Sequence, residues 1–145
     1  MEKKSGIELL KDIKFLQNGF DPLFEEPLNF IEQVNQTFTY LVSLEASERL
    51  LTIYPDKTFK LNLGTNPGYD IESDDGEIIC ECFASTSPDS NSKLKKDAER
   101  LIGNETAAKK YIIFYSEFKK DTHVENIKQK YKGINVISLE KLILA

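Results

Sequence analysis

The stretch GYDIESDDGEIICECFAST, residues 68–86, limits the fold more than any other part of this chain. Asp75-Gly76 is a strong short-range signal for a two-residue hairpin turn. With that pair at the corner, Asp74 faces Glu77, Ile71 faces Cys80 and Asp70 faces Glu81. Directly opposed residues share a face of the sheet, with Cβ atoms about 4.5–5.5 Å apart. Two carboxylates held that close repel unless a cation lies between them, so Asp70 and Glu81 form a candidate metal site. Acids on a hairpin also simply face water, but Glu81 has a second peculiarity. Ile78, Ile79, Cys80, Cys82 and Phe83 surround it, a run expected of a strand covered on both faces. A carboxylate in such a strand is seldom buried unless it is paired or coordinates a metal.

The 145 residues suffice for one domain with a proper core. No run of 18 apolar residues and no leader-like segment is present, so no membrane partner is expected and the cytosol is the expected compartment. Cys80 and Cys82 are two apart on one strand and lack the companions of a zinc site, which reads as a pair of buried thiols. His123 is the only histidine, which excludes a histidine triad and a multi-histidine metal site. The net charge of −5 is unevenly spread: residues 1–90 carry 17 acids and 7 bases, residues 91–145 carry 7 acids and 12 bases. A basic half beside an acidic hairpin suits a protein that holds a polyanion against a metal. The overall pI near 5.0 argues the other way, against a dedicated nucleic-acid binder.

Apolar spacing predicts a short helix over residues 7–17, an irregular stretch from Asn18 to Pro27, and a long helix over 28–51 with Pro27 just before it, where a first-turn proline belongs. Thr58–Leu63 alternates as a strand and the hairpin follows. A helix is expected over 92–102 with Gly103 as its stop, with Leu94, Ala98, Leu101 and Ile102 toward the core. Tyr111–Tyr115 is a buried strand, 124–131 a helix, 135–138 a last strand, and 139–144 a terminal helical turn. A meander followed by strand–helix–strand crossovers makes an α/β three-layer sandwich with a mixed central sheet. Residues 28–145 would form this domain, with 1–27 as an N-terminal helical extension.

This element order, with Pro67-Gly68-Tyr69-Asp70 ahead of the hairpin and Glu81 inside the third strand, resembles the PD-(D/E)XK nuclease superfamily, the restriction-endonuclease-like fold. The resemblance covers roughly Leu28 to Ser138. It implies Asp70 and Glu81 as ligands of Mg²⁺, or Mn²⁺, in a metal-dependent endonuclease acting on DNA, in bacterial defence or DNA processing. It also implies a lysine two residues after the glutamate, where this chain has Phe83. In branches of the superfamily that lysine moves to the following helix. On a helical wheel Lys93, Lys96 and Arg100 share one face of 92–102. Lys93 is the first choice for the catalytic lysine and Lys96 the second, and all three are candidate nucleic-acid contacts. The resemblance further suggests a helix-borne acid in the metal site, for which Glu45 is preferred to Glu48. A homodimer arranged by the N-terminal extension would suit a nuclease that cuts both strands. If no lysine serves, the chain is instead a catalytically silent relative that binds DNA or a protein partner. Solvent-facing acids on a plain interaction module are the third reading.

Overall fold

The computed structural model describes residues 4–142. In chain order the elements are α1 (Gly6–Phe15), β1 (Gly19–Phe20), β2 (Pro27–Leu28), α2 (Phe30–Ile53), β3 (Phe59–Leu61), β4 (Ile71–Ser73), β5 (Ile78–Ser85), a 3₁₀ turn (Ser90–Ser92), α3 (Lys93–Ile102), β6 (Lys109–Ser116), α4 (Asp121–Lys130) and β7 (Ile134–Leu139). One sheet runs β3-β4-β5-β6-β7. It is antiparallel across β3, β4 and β5, and parallel across β5, β6 and β7. The described residues are therefore α/β, with a mixed five-stranded sheet and four α-helices.

Period-two alternation in β5 divides the core. Ile78, Cys80 and Cys82 pack with Val42, Ala46 and Leu50 of α2 on one face. Ile79 and Phe83 pack with α3 and α4 on the other, through Leu94, Ala98, Leu101, Val124 and Ile127. Three layers result, with Glu81 on the face that α3 and α4 cover. Every residue from Ile78 to Phe83 is buried, as expected for a strand enclosed on both faces. Phe83 is a core side chain, 3% exposed, stacked on Phe114 of β6 at 5.0 Å and 8° between planes. Packing accounts for the phenylalanine at that position.

Several local expectations are corrected. Pro27 lies in β2, which pairs with β1 as a two-residue antiparallel ladder within the stretch read as irregular. Asn29 caps α2 instead, in a reciprocal box: its side chain accepts from Glu32 N–H at 2.8 Å, and Glu32 accepts from Asn29 N–H at 3.0 Å. The threonines that weaken the helical pattern bond back along the helix, Thr37 to the Gln33 carbonyl and Thr39 to that of Asn35. The hairpin corner also differs. Gly76 N–H bonds the Ser73 carbonyl at 2.8 Å, so Asp74 and Asp75 form the corner and Gly76 follows at φ +71°. The loop stays centred on the same point, so Ile71 still faces Cys80. Asp74 and Glu77 lie in the loop rather than opposed in the ladder. Lys57 ion-pairs with both Asp75 and Glu77, which offsets part of the negative charge at the tip. At the C-terminus, Leu139 ends β7 and residues 140–142 are not helical; the rest of the expected terminal turn lies outside the described residues.

Candidate metal centre

The site forms where β4 leaves β5. The ladder between them ends at Ile71 opposite Cys80, and Asp70, the residue before it, lies close enough for its carboxylate to act on Glu81. Beyond that point β5 continues for four residues with β6 on one side only. Asp70 stops the gap: its Oδ2 accepts from Cys82 N–H at 2.7 Å, a main-chain donor that β4 no longer serves. Its own carbonyl accepts from Asn62 N–H at 2.8 Å. A glycine at 68, at φ +134°, lets the chain turn into this position, and a Cβ there would meet the Asn62 amide at 3.0 Å.

Glu81 is 1% exposed. Its pKa is pushed up to about 8, first by burial, then by the negative charges of Asp70 and Asp97; Arg100 pulls it down. The chain thus keeps a buried carboxyl beside two other acids, an arrangement that favours its protonated form.

Helix α3 supplies the counter-charges. Arg100 donates to Glu81 Oε1 and to the Gly68 carbonyl at 2.5 Å, with its guanidinium 4.9 Å from the centre of the Tyr69 ring. Asn104 donates to the Tyr69 hydroxyl at 3.2 Å and so fixes that ring from its far edge. Lys93 does not reach Glu81; its ammonium donates to Asp97 Oδ1 at 2.7 Å. Lys96 is exposed and makes no ion pair among the described residues. The cation that reaches the acid pair is therefore an arginine, and the first-choice lysine stands one carboxylate away.

Asp97 is the residue that sequence reasoning passed over. It is 4% exposed, its pKa is raised chiefly by burial, and its Oδ2 has no hydrogen-bond partner. The wheel contained the signal, since Asp97 falls between the apolar arc and the basic one. Ile102, placed in the core arc, is 43% exposed instead.

Glu45 is not brought to this place. It sits on α2, across the sheet from the Glu81 face, and lines a cavity with Glu48, Arg49 and Ile137 of β7. Lys93 borders a different cavity of ≈ 520 Å³ at the carboxyl end of β5, with Asn35, Thr39, Ser85, Thr86 and Asn91. The carboxyl ends of parallel strands are where open α/β sheets accept ligands. Asn91 and Ser92, at φ +53° and +54°, bend the chain sharply into α3 and set Lys93 at this rim.

The donor chemistry fits a hard divalent cation. Asp70 and Glu81 offer carboxylate oxygens side by side, and such ions prefer oxygen ligands. Among the described residues no group of three or more His, Cys, Asp or Glu side chains is spaced to hold a metal ion, so water or substrate oxygens would complete the shell. No described helix is long and apolar enough to cross a membrane. Comparison with family models, curated proteins and solved structures yields no match.

Proposed function

We propose that this chain is a metal-dependent nuclease of the restriction-endonuclease-like fold that hydrolyses phosphodiester bonds of DNA, with Mg²⁺ or Mn²⁺ held by Asp70 and Glu81. One observation carries the reading: a buried Glu81, held beside Asp70, whose pKa rises to about 8. A site of this kind gains free energy when a divalent ion replaces the proton. When bound, the ion lowers the pKa of a water and offsets charge at the scissile phosphate. The chain's own groups do the positioning. Asp70, fixed by the Cys82 N–H, keeps one carboxylate oxygen directed by the backbone. Lys93, at the rim of the polar cavity, turns from Asp97 to a phosphate oxygen of the bound strand. Lys96 adds a further phosphate contact from the outer face of α3.

A second reading has its own support. Arg100 already satisfies Glu81 and no lysine reaches it, which suits a silent relative that binds DNA or protein. Supercoiled plasmid incubated with Mn²⁺ separates the two. Nicking by the wild type that falls at least a hundredfold in Asp70→Asn and Glu81→Gln supports the nuclease. Wild type and variants that are equally inert, or equally active, reject it.

A further inference from the structure

The long helix α2 is apolar on two opposite sides. Its inner face, with Val42, Ala46 and Leu50, is fully buried against the sheet. On the outer side Phe30, Val34, Phe38, Leu44 and Leu51 fall within an arc of about 140° at ~100° per residue. They are 37–54% exposed. Among the described residues α1 and the β1–β2 ladder approach α2 from outside the sheet, and these five side chains still remain exposed. Helix α1 rests against α2 and buries none of its own residues. Its Ile7, Leu10 and Phe15 are 74%, 65% and 67% exposed. A helix of ten residues is marginal in water without tertiary cover.

We propose that a second copy of this chain covers this face, with α1 and the outer stripe of α2 of each protomer meeting those of the other about a two-fold axis. Among the described residues, fifteen of the seventeen exposed large hydrophobic side chains lie between Ile7 and Ile53, the segment that holds α1 and α2. A contiguous apolar patch on a monomer is usually ~300–600 Å², and a stable interface takes ~800 Å² from each partner. Charge narrows the occupant. Residues 4–53 hold eight acids and four bases, which disfavours a nucleic acid or an anionic lipid surface. Within α1 acids and bases are mixed, Glu8, Lys11, Asp12 and Lys14, so two copies meeting about a two-fold axis need not set like charges against each other. The face lies on the side of α2 away from the sheet, so pairing leaves the Asp70–Glu81 site open and does not depend on the nuclease reading.

Sedimentation velocity of the full chain over a wide concentration range tests this. The expected species has twice the 16.6 kDa chain mass. Leu10→Glu and Leu44→Glu change side chains that are already half exposed, and each is expected to weaken dimerisation at least a hundredfold with the circular dichroism spectrum unchanged. A 16.6 kDa species at every concentration, or a dimer that survives both substitutions, overturns the proposal. So does a monomer that floats with neutral phosphatidylcholine vesicles, which would make lipid the occupant.

Discussion

Arg100, in the last turn of α3, donates to Oε1 of Glu81 in the middle of β5, one of the oxygens that the proposed metal ion would take. Arginine and ion therefore compete for one carboxylate. Arg100→Met is expected to raise Mg²⁺ affinity about tenfold. Without metal it lowers stability by about 1–2 kcal/mol, a modest figure because Arg100 is itself half exposed. Thermal unfolding with and without Mg²⁺ measures both effects. A variant that stays indifferent to Mg²⁺ supports the silent-relative reading.

The raised Glu81 pKa has a definite sign in stability. A carboxyl whose pKa is higher in the fold than in the unfolded chain favours the protonated native form. Its contribution is complete below the unfolded value of 4.5 and is lost as pH rises through about 8. The unfolding free energy in urea should therefore fall across that window, by an amount on the order of a few kcal/mol at most. Glu81→Gln should flatten the profile, and so should saturating Mg²⁺. A wild-type profile that is flat, or that rises, contradicts the burial argument.

Lys93 and Asp97 form a half-buried ion pair whose acid is the buried member. Lys93→Met leaves Asp97 with neither oxygen paired and is expected to cost about 2 kcal/mol. Adding Asp97→Asn should restore most of that loss, a coupling that a double-mutant cycle in urea reads directly. In the plasmid assay Lys93→Met should lower nicking while the Mg²⁺-induced rise in melting temperature persists, because the role proposed for the lysine is toward phosphate and not metal.

At the hairpin corner the Ser73 hydroxyl accepts from the buried Ile78 N–H at 2.9 Å and donates to Asp75 at 2.6 Å. Ser73→Ala strands that N–H and is expected to cost about 1–3 kcal/mol. Gly76→Ala meets backbone strain at φ +71° and should cost about 1 kcal/mol. Chemical denaturation of each variant checks the values.

The legible parts of the sequence were those governed by short-range patterns. The hairpin register followed from Asp75-Gly76 even though the corner sits one residue earlier, because shifting the turn within a symmetric loop leaves Ile71 opposite Cys80. The layering followed from alternation in β5, which sends Glu81 and the two cysteines to different faces. Glu45 was not legible: its helix and its apolar spacing were plain, but which side of the sheet α2 covers is a tertiary fact. Lys93 and Arg100 share one arc of α3, and the wheel alone does not tell which of them reaches β5. That depends on the position of Gly68 and Tyr69, which hold the guanidinium from another part of the chain. The β1–β2 ladder, two residues on each strand, carries too little pattern to be read at all.

Isothermal titration of Mn²⁺ into the wild type, Asp70→Asn and Glu81→Gln bears most directly on the Asp70–Glu81 pair as an ion-binding site. One saturable site with a dissociation constant below a millimolar, lost in both variants and accompanied by proton release near pH 7, is the expected result. Binding that is absent from the wild type, or equally strong in the two variants, would contradict it.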